Sequence, residues 1–397
     1  MHQVIIVGAG PTGACLALML AQRGITVKLI EAARNFERSF RGEALMPSGL
    51  AALETMGLAD IVTQIPHHPL TQWEFWIEGR SVFQVDEPMR PDEPPCTCVA
   101  QSNLLTAIID RAKQLPNFEL IQGRPVQNLL RHNHRVSGVR LNNGTEHVAD
   151  LVIGSDGRNS IVRKKADLPL QAQTQNFNIL WFKLPAGNLF DNRHPFCTIV
   201  QDRNAFGVFH STDNALQVGW SVHAEDPDWK DTNWPETLRQ ASPPWLSQHF
   251  HQYADSISKP IPLNVIVGRC EQWHRPGVLI LGDAAHPMSP VRAQGINMAL
   301  RDVLVATNRL VPALRTKDTT TIDTALMEIQ TERQAEIIRV QTLQAAEVHD
   351  AEKLRQFSML RQIVSRSPAA IRHLIKTKWL FRQKKLRQGL TRLSLEN

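Results

Sequence analysis

Hydrophobic and polar positions follow several different rhythms along this 397-residue chain, and the changes of rhythm mark its organisation. Gln3–Val7 is a short, continuous apolar run of the kind a fully covered strand shows. A Gly-rich turn follows, then an apolar helical stretch from about Pro11 to Arg23, stopped by Gly24, and a second strand over Val27–Glu31. These segments predict a βαβ unit. Pro47–Met56 reads as a helix ended by Gly57, Trp73–Ile77 and Val82–Val85 as strands, and Pro88–Pro95 as an acidic, Pro-rich loop. Ser102 is expected to cap a helix running to about Leu115. Val136–Leu141 followed by Asn142-Asn143-Gly144 predicts a hairpin.

The texture changes between about Asn178 and Val222. Leu180–Leu184, Thr198–Val200, Phe206–His210 and Leu216–Val222 are short stretches rich in aromatic and β-branched residues, with Thr212-Asp213-Asn214 as the turn between the last two. Leu216, Val218, Trp220 and Val222 alternate with smaller or polar residues, as in a sheet with one covered face. After Pro262 an α/β texture returns, with a strand over Val278–Leu281 and a long helix from near Asn297. From Thr319 onward the chain is mostly helical. There are no internal repeats, and no apolar run reaches the roughly 18 residues of a spanning helix.

Composition narrows the class. With 42% hydrophobic and 21% charged residues the chain has the balance of a globular protein, and its length allows two packed domains. The five cysteines, Cys15, Cys96, Cys98, Cys197 and Cys270, are odd in number and scattered. They suggest reduced thiols in a cytoplasmic protein, and no spacing suggests a metal site. The N-terminus enters a strand directly, without the basic stretch and cleavage site of a signal peptide. The net charge of +6 reflects one segment: residues 360–397 carry ten Lys and Arg against one acid. The basic balance therefore belongs to a tail and does not indicate nucleic-acid binding.

Gly8-Ala9-Gly10-Pro11-Thr12-Gly13 fits G-x-G-x-x-G between a strand and a helix, and Glu31 ends the next strand. In such a loop the first Gly permits the turn, the second admits a pyrophosphate, and the third lets helix and strand pack closely. The helix N-terminus then offers free N–H groups and a positive dipole end. An acid at Glu31 suits ribose hydroxyls, which favours NAD or FAD over a 2′-phosphorylated ribose. Two further strand-to-turn segments are Leu151-Val152-Ile153-Gly154-Ser155-Asp156-Gly157 and Val278-Leu279-Ile280-Leu281-Gly282-Asp283.

With these three motifs in this order, the chain from Gln3 to Leu310 resembles the class A FAD-dependent aromatic monooxygenases. That family includes p-hydroxybenzoate hydroxylase and the ubiquinone-biosynthesis hydroxylases. The resemblance implies an α/β fold with a Rossmann-like FAD-binding domain, an interleaved β-sheet substrate domain and a helical C-terminal segment. It implies FAD as cofactor and NAD(P)H as co-substrate. Oxygen would be inserted into an aromatic or electron-rich hydrophobic small molecule by way of a flavin C4a-hydroperoxide. By the same resemblance Gly8, Gly10, Thr12 and Gly13 hold the pyrophosphate and Glu31 the adenosine ribose. Arg41 lies over the dinucleotide, Gln101 touches the cofactor, and the backbone at Val126 meets the adenine. Asp156 belongs to a motif serving both FAD and NAD(P)H, and Asp283 binds the ribityl chain. Gly295, Ile296 and Asn297 present N–H groups to the isoalloxazine.

The expected domains are 1–70, 98–175 and 268–318 for FAD, 71–97 and 176–267 for substrate, and 319–397 as a helical segment. One departure from the family stands at Arg292, where small residues are usual. It is read either as a partner for an anionic substrate or reduced flavin, or as a solvent-facing ion pair. Trp73, Phe75, Trp76, Trp181, Phe182, Phe206, Phe209 and Trp220 either line an aromatic pocket or, for most of them, form a sheet core. Tyr253 is the only tyrosine, so a tyrosine pair cannot deprotonate a phenol, and no catalytic residue is assigned. His210 and His223 at strand ends are read as structural or exposed. In the tail, Ile371, Leu374, Ile375, Trp379, Leu386, Leu390 and Leu393 recur at helical spacing among basic residues. That helix either lies peripherally on an anionic membrane or docks on the protein. Competing functions are a flavin reductase or dehydrogenase without oxygen insertion, and a non-enzymatic redox sensor.

Overall fold

The computed structural model describes residues 3–36, 44–191, 193–226, 228–316 and 318–396. Its first layer is a six-stranded sheet ordered His274–Arg275, Val278–Ile280, Leu151–Gly154, Gln3–Val7, Thr26–Glu31 and Phe118–Gln122. All pairings are parallel except the His274–Arg275 edge. Both faces are covered, which explains the unbroken apolar run: Val4, Ile5 and Ile6 are fully buried. The helix Pro11–Gln22 is buried from Thr12 to Ala21 and packs against the long helix Gln294–Thr316. An apolar surface all round is what such an interior position requires.

A second sheet has seven strands, ordered Ile261–Leu263, Phe177–Pro185, Ala215–His223, Asn204–His210, Pro195–Gln201, Gln72–Ile77 and Arg80–Asp86. Its one parallel pair joins Pro195–Gln201 to Gln72–Ile77. Period-2 alternation sorts its side chains. Phe182, Phe206 and Trp220 face a core closed by the helices Trp234–Gln240 and Pro244–Gln252, whereas Trp73, Trp181, Phe196 and Phe209 gather on the opposite face. A small sheet of Ala44–Leu45, Thr97–Val99 and His67–Pro69 bridges the two layers. The helices Thr319–Gln356, Ser358–Ser365 and Ala369–Arg387 then wrap the molecule.

Two expected boundaries differ. The helix expected to be capped by Ser102 begins at Gln101 with Ala100 in the cap position. Ser102 lies in its first turn, its hydroxyl directed to Asn103 Oδ1. The helix expected near Asn297 begins at Gln294, immediately after Arg292 and Ala293, which turn the chain at φ of 60° and 49°. All five cysteines are buried.

Candidate active site

The Gly-rich loop is shaped by its own packing. Gly8 adopts φ 97°, a left-handed value that favours glycine. A Cβ on Gly13 would stand 1.9 Å from the Gly8 carbonyl oxygen and 2.4 Å from Ser155 Oγ, so helix and strand meet only across a glycine. A Cβ on Gly10 meets nothing within 4 Å. Gly10 therefore leaves room on its open side, and the helix beginning at Pro11 has neither a side-chain cap nor an acid in its first turn. Its N–H groups face a cavity, an arrangement suited to an anion. Glu31 braces the loop: one carboxylate oxygen accepts from the Ala9 N–H at 2.7 Å and the other from the Ala33 N–H at 2.9 Å.

That cavity, about 580 Å³, runs from Gly8–Thr12 and Glu31 past Gln101 and Arg124–Val126 to Asp156, Asp283 and the Gly295–Ile296 turn. The second helix N-terminus is also free of first-turn acids. Asn297 fixes it: its Oδ1 accepts from the Met46 N–H at 2.9 Å, and its amide nitrogen donates to the Ala293 carbonyl at 2.6 Å. The preceding loop is held from behind by Gln344, whose side-chain nitrogen donates to the carbonyls of Ser289 and Val291.

The far end of the cavity is aromatic. Trp73 lies 5.1 Å from Phe196 between ring centroids, Phe196 5.5 Å from Phe209, and Phe209 6.3 Å from Trp181. Trp181 Nε1 is buried without a hydrogen-bond partner. Arg292 closes one wall. Its guanidinium pairs with Glu347 at 2.7 Å and stands 5.0–5.4 Å from the ring centroids of Trp73, Phe75 and Trp379. The solvent-facing reading of Arg292 is thereby corrected: its side chain is 10% exposed, because Glu347 and the aromatic rings enclose it.

Residues 1–339 match the family model described as an FAD binding domain. The chain belongs to that family. It is 31% identical over 335 residues to 6-methylpretetramide 4-monooxygenase of Streptomyces rimosus, covering 79% of this chain and 76% of the relative. It is 26% identical over 318 residues to 6-hydroxynicotinate 3-monooxygenase of Pseudomonas fluorescens, covering 76% and 80%. In fold it matches the crystal structure of p-nitrophenol 4-monooxygenase PnpA from Pseudomonas putida DLL-E4, with a TM-score of 0.78 at 19% identity over 99% of this chain and 100% of that one. The protein is an FAD-dependent monooxygenase of the class A flavoprotein hydroxylases.

In the monooxygenase, most residues expected at the cofactor meet on one cavity. Gly8, Gly10, Thr12, Glu31, Gln101, Val126, Asp156, Asp283, Gly295 and Ile296 line it. Gly13 and Asn297 stand behind it as packing and bracing positions. Arg41 lies outside the described residues. Asp156 has a commitment the sequence did not reveal. Its carboxylate accepts from Ser160 Oγ at 2.5 Å and from the N–H groups of Ile161 and Val162, tying the turn to the helix Ile161–Lys165. Burial pushes its carboxyl up, and these hydrogen bonds oppose that push. The aromatic candidates divide: Trp73, Trp181 and Phe209 line the cavity, Phe75 packs on Phe83 and Trp379, and Trp76, Phe182, Phe206 and Trp220 belong to the opposite core. Tyr253 packs on His249, on that same far side. Phe196, Ser155 and Glu347 were missed. Only Ser155 stood within a motif, and the other two acquire their roles through tertiary packing.

Proposed function

We propose that the monooxygenase hydroxylates a hydrophobic aromatic small molecule held against Trp73, Trp181, Phe196 and Phe209, with NAD(P)H as reductant. One observation carries this reading: two helix N-termini without first-turn acids and an aromatic chamber share a single cavity. Homologues acting on aromatic substrates support it. When bound, FAD would supply the redox chemistry, hydride acceptance from reduced nicotinamide and activation of dioxygen.

The chain's residues bind, orient and exclude water. The Gly8–Gly13 loop and its helix end would hold the pyrophosphate, Glu31 the adenosine ribose, and Gln101 and Val126 the adenine side. Asp283 would take the ribityl hydroxyls, and Asp156 would act by fixing its turn. The N–H groups at Gly295–Asn297 would stabilise negative charge on a reduced ring. The Trp181 indole N–H is the polar handle offered to substrate, while the apolar walls keep water from the reacting centre. The two large sheets support FAD and substrate domains over 1–70, 98–175 and 268–318, and over 71–97 and 176–267.

A second partner is an anionic membrane surface. The tail docks Trp379 and Leu386 on the protein yet exposes Ile371, Leu374 and Phe381 beside Lys378 and Lys385. No described helix is long and apolar enough to cross a membrane.

The test of the central reading is spectroscopic. The purified protein should show a flavin band that NADH or NADPH bleaches anaerobically, then consume oxygen in proportion to hydroxylated product with a phenol or quinol from a panel. Bleaching with reduced substrate appearing and no hydroxylated product would point to a reductase. A protein that takes up no FAD would overturn the proposal.

A further inference from the structure

Behind the aromatic wall, three histidines from separate strands converge. His68 belongs to His67–Pro69, His194 directly precedes Pro195–Gln201, and His210 ends Asn204–His210. Their ring centroids are 4.2 Å apart for His68 and His194, 5.2 Å for His194 and His210, and 5.6 Å for His68 and His210. One ring nitrogen from each lies within 4.8 Å of the others.

The hydrogen bonding gives this cluster a direction. His210 Nε2 stands 3.2 Å from Asn214 Oδ1, an acceptor, so Nε2 carries the proton and Nδ1 of the neutral ring keeps its lone pair. That Nδ1 accepts a hydrogen bond from His194 Nδ1 at 3.1 Å, and a metal ion would replace the shared proton. Tetrahedral coordination at roughly 2.0–2.1 Å separates ligand nitrogens by about 3.3 Å, so this pair already spans one edge of a metal site. A ligand imidazole held through its other nitrogen by an oxygen acceptor is the usual outer arrangement of such sites. Both ring nitrogens of His68 are buried beside the backbone of His210 and Ser211 without a hydrogen bond of good geometry, and a bond to a cation would engage one of them. A second grouping, His223 with Glu225 and Glu352, differs because Arg355 already supplies its cation.

We propose that His68, His194 and His210 form a site for a divalent transition-metal ion of the zinc class, with a fourth position left to water. Imidazole nitrogen suits such ions. The ion would fasten the bridging strand to the Pro195–His210 hairpin, immediately behind Leu70, Phe196 and Phe209 of the cavity wall. Its role is to stiffen that wall, and the inference does not rest on the identity of the substrate.

The experiment uses untagged, FAD-loaded protein freed of metal by chelator and dialysed against buffered Zn²⁺ or Co²⁺. One equivalent should be retained, with tetrahedral Co²⁺ absorption beyond the flavin band, and Zn²⁺ should raise the thermal midpoint. His194→Gln and His210→Gln should abolish both effects, and His223→Gln should preserve them. Asn214→Gly removes only the outer hydrogen bond on an exposed turn that already has φ 60°, and should weaken affinity about 10- to 100-fold with folding intact. No retained equivalent in the wild type, or equal retention in the His194 and His210 variants, would overturn the proposal. So would an unchanged affinity in Asn214→Gly.

Discussion

At the residue scale the Gly-rich loop separates two roles that a motif merges. Gly13 faces protein and Gly10 faces the open cavity, so adding one methyl to each should give different results. Gly13→Ala should destabilise even the FAD-free protein by a few kcal/mol, because backbone must move to admit the Cβ. Gly10→Ala should leave the FAD-free melting temperature within about a degree of wild type while weakening FAD by tenfold or more. Thermal melts of the apoprotein and flavin-fluorescence titration measure both, and equal FAD affinity in Gly10→Ala and wild type would count against the placement of the pyrophosphate. Trp181 offers a similar separation. Trp181→Phe keeps an aromatic wall and removes the unpartnered N–H, so a substrate bearing an acceptor should bind about three- to tenfold more weakly, as loss of one neutral hydrogen bond implies. An acceptor-free analogue should be nearly unaffected in the same binding assay. The glycines and Glu31 could be singled out from the strand–turn–helix pattern and Asp283 from the family resemblance, and Gly8, Gly10, Glu31 and Asp283 line the cavity. The place of Arg292 was not, because Glu347 and Trp379 reach it from helices far along the chain.

At the scale of elements, a buried charge network fastens the turn after Val278–Ile280 to the two long helices and the tail. Asp302 accepts from the Gly282 N–H at 3.2 Å, meets His286 Nε2 at 2.7 Å and pairs with Arg333 at 2.8 Å. Glu336 pairs with Arg333 and Arg301 and accepts from the Leu390 N–H at 2.5 Å. Burial acts to raise the Asp302 carboxyl, but His286 and Arg333 outweigh it and hold the group below its usual range. A depressed folded-state value contributes stability that is present above the unfolded pKa, about 3.9, and is lost as pH falls from there through the folded value. Asp302→Asn should therefore cost about 3–5 kcal/mol near neutral pH by leaving Arg333 and His286 underpaired. The gap from wild type should narrow as the medium is acidified below about pH 4. Denaturant unfolding across that range checks it, and a gap that stays constant would assign the loss to packing instead. The strands and helices that form these attachments could be read from periodicity, but the attachments themselves could not. Asp302, Arg333 and Glu336 look like ordinary polar positions on helices until the helices pack against one another.

For the whole molecule, the excess positive charge sits on a helix that is only half used by the fold. In Ala369–Arg387 the side chains of Trp379, Gln383, Leu386 and Arg387 turn inward, and Arg387 pairs with Glu87 at 2.5 Å beneath the cavity wall. Helical spacing puts Ile371, Leu374, Lys378, Phe381 and Lys385 on a different stripe, where Leu374 and Phe381 are 69% and 64% exposed. The two readings of the tail are thus compatible: one face docks, and the other remains for a partner. Exposed apolar side chains among lysines suit an anionic lipid surface, where each basic residue near the surface contributes about 1 kcal/mol and each newly covered large side chain roughly 1.5–3 kcal/mol. The FAD-loaded protein should sediment with phosphatidylserine-containing vesicles and much less with neutral ones, and added salt should release it. Leu374→Glu with Phe381→Glu should reduce that partition by at least about tenfold without altering the flavin spectrum, since neither residue belongs to the docked face. Equal binding to neutral and anionic vesicles, or a salt-insensitive loss of solubility, would instead assign the stripe to contact between protein molecules.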